Sequence, residues 1–455
     1  MLSRMDRANT PLSEATRQRL RQGPQSARKL MDAFEVSQPT VSRALRSLGD
    51  DLIPIGAARS IQYGLLDQRR ATLQAPVFRV LDSGQIQPLG QLIPVHPEGF
   101  VMQGMEAPAL HSDGLPWWLY DMRPQGYLGR AYNQRHGTRL GLPERLSDWS
   151  DTDVLRALLL QGSDLPGNLL LGSEALQQFV NAPPPVAIDM ADKPRRYAEL
   201  SAAAAQGDMP GSSAAGEQPK FTTYAQRDDG TGPAHVIVKF SAPLPGPVSQ
   251  RWRDLLWAEH LALQVLSEHG VCAAASTVID HDGQRFLEVQ RFDRVGARGR
   301  HALFSLAALD AEFAGQPGRW PDTARALARA KVIEAAALPD IERLWAFGTL
   351  IGNTDMHAGN LSFMSDSGRP YALAPAYDMT PMAFAPGAGG DLTLKPLSLN
   401  IADQVSAQAW HQALALAETY LQRLAQAPLS PSFAPCLSTL QNHVAQARLR
   451  IGPLL

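Results

Sequence analysis

Cysteine is nearly absent from the chain: Cys272 and Cys436 stand far apart and in no CxxC or Cys/His spacing, which excludes a disulfide framework and a zinc site. Nowhere do about 18 uncharged apolar residues follow one another, and the N-terminus begins with the charged Arg4, Asp6 and Arg7 and reaches no apolar core like a signal peptide's. Neither a membrane partner nor export is therefore expected, and a reducing cytoplasm is the simplest location. Excess charge is lacking too: the formal net charge is -2, so the chain as a whole gives no reason for binding a polyanion. A charged partner has to be read locally. What is present is length, because 455 residues exceed one hydrophobic core and imply roughly two to four domains.

Local charge appears at once. Residues 1–70 carry twelve Lys and Arg against seven acids, an excess of five. Within them, SARKLMDAFEVSQPTVSRALRSLGD (Ser26 to Asp50) has the periodicity of a helix-turn-helix. Leu30, Met31 and Phe34 mark a first apolar face, and Val41, Leu45 and Leu48 at i, i+4, i+7 mark a second. The second helix then presents Gln38, Thr40, Ser42, Arg43 and Arg46 outward, donors suited to base edges and phosphates in a major groove. IPIGAARSIQYGL (Ile53 to Leu65) predicts a wing with Arg59 at its tip. DNA is the partner expected for residues 1–70, although a small three-helix domain of this spacing also suits protein contacts.

Phosphoryl-transfer chemistry concentrates in LIGNTDMHAGNLSF (Leu350 to Phe363) and APAYDMTP (Ala374 to Pro381). A transfer to a hydroxyl needs one carboxylate to take the proton, here Asp355, and oxygen ligands to hold Mg²⁺ against ATP, here Asn360 and Asp378. The Asp-x4-Asn spacing, with an Asp 18 residues beyond the Asn, follows the logic of a kinase catalytic loop and metal loop. Upstream, VIVKF places Lys239 on a β-branched strand, where it can hold phosphates. Glu259 follows on a helix of Arg251 to His269 and is a candidate partner for the lysine. Its neighbours Leu255, Leu256, Leu263 and Leu266 leave open whether it pairs or faces solvent. In GSSAAGEQPKF (Gly211 to Phe221), small residues including Gly216 allow backbone N–H groups near phosphates, with Lys220 beside them. The preceding Leu200 to Gly216 reads as a linker or a ligand-covering loop.

In order and spacing, SxAGEQPKF, VIVKF, FLEVQRFDR, GNTDMHAGN and YDMTP resemble the HipA family of toxin kinases, from about Phe78 to the C-terminus. An N-terminal winged helix joined to such a body looks like the YjjJ branch of that family. The resemblance implies a Ser/Thr protein kinase of a toxin-antitoxin system that uses ATP and Mg²⁺ on a protein substrate such as one of the translation machinery, restrained by a HipB-like antitoxin. It assigns Asp355 as catalytic, Asn360 and Asp378 to the metal, His357 and Lys239 to the nucleotide, and Ser213 to autophosphorylation. Phe292 is available to line the adenine site, and Gln290 stands where the family commonly has Glu, which removes a formal charge there. The expected architecture is α+β: a winged helix (1–70), a small mixed α/β domain (71–185), an N-lobe-like region with a phosphate loop (186–295) and a helical C-lobe (296–455). Two other functions use the same residues: a DNA-binding regulator whose kinase-like body senses nucleotide, and a Mg²⁺-dependent DNA nuclease.

Overall fold

The computed structural model of the chain describes residues 3–57, 60–105, 107–205, 218–316, 318–365, 367–387, 389–401 and 403–454. It begins with α1 (Ser3–Leu20), α2 (Ala27–Phe34) and α3 (Gln38–Arg46), followed by an antiparallel pair, β1 (Leu52–Ile55) and β2 (Gln62–Leu65). Ser26 caps α2 by accepting the Lys29 N–H, and Glu35 ends it in the left-handed region at φ 52°. Pro39 in the first turn of α3 gives up an N–H that has no partner there. Val41, Leu45 and Leu48 bury against Leu20, Leu30 and Leu65, as their spacing predicts. Gln38, Arg43 and Arg46 are exposed, and Thr40 and Ser42 are half-buried. Arg59 lies outside the described residues.

The alternating strand β1 serves two cores. Leu52 packs with the helices, whereas Ile53 and Ile55 pack with Ile93, Val95 and Val101 of the next unit. Backbone bonds from Gly56 N–H to Ala109 O (2.9 Å) and Asp67 N–H to Pro94 O (3.0 Å) cross the same seam.

That next unit is a five-stranded antiparallel sheet in the order β6 (Leu110–Ser112), β5 (Phe100–Gly104), β4 (Ile86–Pro94), β3 (Ala75–Val80), β7 (Leu169–Leu171). Around it lie α4 (Gly126–Leu140), α5 (Asp151–Gln161) and α6 (Gly172–Asn181). The apolar run Leu92 to Val95 marks only the end of β4. The earlier part is hidden from periodicity by Gly90, whose φ of 152° and lack of Cβ let β5 approach: a Cβ there would stand 2.1 Å from Gln103 O.

Next comes α7 (Lys193–Ala205), with Tyr197 buried between Phe221 and Phe286. The first part of the Ala-rich stretch is thus helix rather than linker, as the high helix propensity of alanine allows. A second antiparallel sheet runs β10 (Ser276–His281), β11 (Gln284–Gln290), β9 (Pro233–Phe240), β8 (Lys220–Gln226), with α8 (Pro247–Glu268) packed against it. α8 starts four residues before the predicted Arg251, because Pro247 suits a first helical position.

A short ladder, β12 (Arg294–Val295) with β13 (Gly299–Arg300), leads to β14 (Leu303–Ser305), which pairs with β15 (Ser362–Met364), itself paired with β16 (Ala372–Leu373). The remainder is helical: α9 (Leu306–Leu309), α10 (Trp320–Arg329), α11 (Leu338–Leu350), α12 (Ala407–Gln426) and α13 (Ala434–Ile451). The largest core lies here, with Trp320, Phe347, Trp410 and Tyr420 nearly or fully buried. The predicted helical character after Gly390 fails until Ser406, where α12 is capped. Leu392 to Asn400 forms neither helix nor strand, and Pro396 bars a helix there.

Asp164 of the middle unit accepts Arg294 (2.8 Å) and Arg291 (3.3 Å), and both arginines also pair with Asp293. This largely buried network fixes the middle sheet against the two lobes, so that α4 forms one wall of the cleft described next.

Candidate active site

Three separated elements meet at Lys239. Its side chain leaves β9 almost wholly buried, and its ammonium donates to Glu259 Oε1 of α8 (2.6 Å) and to Asp378 Oδ1 (2.5 Å). Glu259 is fully buried, and its other oxygen accepts the Thr380 hydroxyl (2.7 Å). The question its helical spacing left open is thereby answered: it faces the lysine. Burial alone would lower the Lys239 pKa, but Asp378 and Glu259 overcome it and hold the ammonium above its ordinary 10.5. For Asp378, burial works upward and is outweighed by Lys239, Lys220 and His357, so its carboxyl lies below the ordinary 3.8.

Asp378 adopts φ 53°, a left-handed conformation that a non-glycine residue holds only under constraint. The constraint is visible. Asn353, 4% exposed, donates its amide to Asp378 O (3.1 Å) and accepts the Asp355 N–H on its Oδ1 (3.0 Å). One buried side chain thus ties the two loops together, a role that no feature of the sequence marks. Asn360 closes the first loop by donating to Asp355 O (2.8 Å), and Trp320 Nε1 donates to His357 O (2.9 Å). Against this fixed backbone, the Asp355 and His357 side chains are 54% and 61% exposed, with His357 Nε2 4.0 Å from Asp355 Oδ1.

Lys220, Lys239, Asp355, His357, Asn360 and Asp378 line one cleft of about 530 Å³, which α4 borders through Tyr127 and Leu128. Gln290 and Phe292 are not brought into it. Gln290 ends β11 with its N–H on Ala275 O, and the Phe292 ring lies 5.6 Å from that of Tyr377, behind the Asp378 loop. Ser213 and Gly216 fall outside the described residues. Among the described residues, no group of three or more His, Cys, Asp or Glu is placed to hold a metal, and no helix is long and apolar enough to cross a membrane.

Comparison with known proteins separates the chain into two matched parts. Residues 71–180 match the family model of the YjjJ-like toxin middle domain, and residues 212–438 that of the HipA-like C-terminal domain. Toxin YjjJ of Escherichia coli (strain K12) is 39% identical over 436 residues, covering 95% of this chain and 98% of the relative. The chain belongs to the YjjJ-like toxins of the HipA family. This YjjJ-like chain shares its mixed α/β fold with the HipA of Shewanella oneidensis MR-1, solved as a complex with HipB and operator DNA. The TM-score is 0.51 at 17% identity, over 83% of this chain and 97% of that one. The Helicobacter pylori proinflammatory kinase CtkA also aligns, with TM-score 0.38 and 15% identity over 52% of this chain and 93% of that one. In the YjjJ-like toxin the cleft is lined by residues between Tyr120 and Leu128 of the middle domain and by residues of the HipA-like C-terminal domain.

Proposed function

We propose that this YjjJ-like toxin is a Ser/Thr protein kinase using ATP and Mg²⁺, with a DNA-binding winged helix in residues 1–70. The observation that carries the kinase reading is the convergence of Glu259 and Asp378 on the Lys239 ammonium, with Asp355 and Asn360 in the same cleft as Lys239 and Asp378. In this reading Lys239 and Lys220 bind phosphate oxygens, and Glu259 with Thr380 keeps the Lys239 ammonium in place. Asp355 accepts the acceptor's hydroxyl proton, and Asn353 fixes its loop. The hydroxyl oxygen bonds to the γ-phosphorus, the bond from that phosphorus to the β,γ-bridging oxygen breaks, and ADP leaves with the electron pair. His357 is assigned to the nucleotide, and Ser213 and Gly216 to a phosphate loop in which Ser213 is self-modified.

The donor set fits the metal. A single Asp and a single Asn supply too few ligands for an all-protein cage, which suits Mg²⁺, an ion that keeps waters and substrate phosphates in its shell. Bound between Asn360 and Asp378, it would neutralise charge developing on the phosphates. The surface of α3, with Gln38, Thr40, Ser42, Arg43 and Arg46, is assigned to DNA. A HipB-like antitoxin is a further proposed partner, since the Shewanella HipA is described in complex with HipB and operator DNA.

The test is transfer of γ-labelled phosphate to lysate proteins and to the chain itself. Asp355→Ala and Asp378→Ala are each expected to lower it by about a thousandfold, with ATP still bound by the Asp355 variant. Turnover retained in both variants would refute the kinase. Tight nucleotide binding with no transfer by the unmodified protein would favour a nucleotide-sensing regulator.

A further inference from the structure

A second cavity, of about 800 Å³, meets the first at the catalytic loop: Asp355 and His357 line both. Its far wall is the segment 392–400, which forms neither helix nor strand. Leu394, Leu397 and Leu399 pack onto the helical core, and Thr393, Lys395, Pro396, Leu397, Ser398 and Asn400 line the cavity. Among the described residues, the backbone of 392–400 makes no hydrogen bond to another backbone group. Thr393 N–H is held by Asp391 Oδ1 (3.0 Å), Leu399 O accepts Arg450 Nη1 (2.9 Å) and Pro396 has no N–H, so the backbone groups left for an added strand are those between Leu394 and Ser398.

The charges around the cavity point to what is added. Arg319, next to the Trp320 that holds His357 O, is half-buried, and Lys395 is exposed. Among the described residues neither forms an ion pair. The lining carboxylates are Asp355 itself and Asp391, whose Oδ1 already accepts the Thr393 N–H (3.0 Å) and hydroxyl (2.7 Å). The Thr393 hydrogen bonds hold the Asp391 carboxyl pKa below its ordinary value, and Lys395 lies near enough to lower it further but forms no ion pair with it, so both cations keep their donors for a partner.

We infer that the second cavity is the acceptor site: an extended segment of the substrate protein pairs with 394–398, sets its serine or threonine at Asp355, and places acidic flanking residues against Arg319 and Lys395. The inference rests on the kinase reading and adds where the substrate lies and which charge it carries.

The full chain would be assayed with Mg²⁺-ATP and matched serine peptides whose flanking residues are all Glu, all Gln or all Lys. The Glu peptide is expected to exceed the Lys peptide in kcat/KM by about tenfold or more. Arg319→Glu with Lys395→Glu should invert that order, and Arg319→Gln with Lys395→Gln should erase it. Methylating single backbone nitrogens of the Glu peptide should raise KM at every second position. A wild-type preference for Lys, or an order unmoved by the charge reversal, overturns the acceptor assignment. Peptide silence beside Asp355-dependent self-labelling also overturns it and leaves the kinase standing. Silence in self-labelling and lysate labelling as well removes both.

Discussion

The cleft and helix α3 handle charge in opposite ways. In the cleft, Lys239 and Glu259 are nearly dry and committed to each other, to Asp378 and to Thr380. On α3, Arg43 and Arg46 stand in water, and among the described residues neither forms an ion pair. Removal from water strengthens every Coulombic contact and makes an unmatched charge expensive, so the cleft has to be assembled before substrate arrives. A solvated surface needs no assembly, because a polyanion repays it by shedding counterions. One region is built for positioning, the other for attraction.

The sharpest way to break this contrast is Lys239→Ala, which strands Glu259 in the core. It should cost about 3–5 kcal/mol in denaturant unfolding, whereas Arg43→Ala stays within about 0.5 kcal/mol. Equal costs would show that the cleft charges are not enclosed. Next in size, Asn353→Ala removes the amide between the Asp355 and Asp378 loops. Phosphoryl transfer should fall by about ten- to a hundredfold at saturating ATP, consistent with about 1–3 kcal/mol for a buried hydrogen-bonding group, with ATP affinity much less affected. If ATP affinity falls in step, Asn353 supports the fold and not the loop geometry.

For α3, Arg43→Ala and Arg46→Ala should each lower the slope of log affinity for DNA against log salt by about one. An unchanged slope, or no mobility shift of DNA by the full chain, separates α3 from nucleic acid. The smallest effect is on pH. Asp378 has a depressed carboxyl pKa, so its contribution to stability is present above its ordinary 3.8 and is lost as pH falls through the folded value. Lys239 has a raised one, so its contribution is complete below 10.5 and is lost as pH rises through the folded value. Stability should therefore be level for this pair from about pH 5 to 9. Asp378→Asn should flatten the acid limb and, by removing one of the two carboxylates that raise Lys239, shrink the alkaline limb, which pH-dependent denaturation would register.

The sequence displayed the parts of both regions that depend on local pattern. Val41, Leu45 and Leu48 marked the inner face of α3, and VIVKF with the polar run from Asp355 to Asn360 marked the chemistry of the cleft. Glu259 was undecidable because α8 is buried nearly all round, between the sheet and the C-terminal helices, so its periodicity shows no solvent face. Asn353 was invisible for a different reason: it bonds a residue 25 positions away, and an asparagine before a loop ordinarily reads as turn chemistry. The non-helical stretch after Asp391 was missed because the leucines that bury it also suit a helix, and only Pro396 argued otherwise.

The double duty of strand β1 sets how an operator-bound molecule would be oriented. With Ile53 and Ile55 committed to the middle sheet, the β1–β2 pair is a weld and not a hinge. If α3 sits in a groove, the mouth of the Lys239 cleft points along one fixed bearing from the duplex axis. Substrates held elsewhere on that same DNA would be reachable only at particular helical phases.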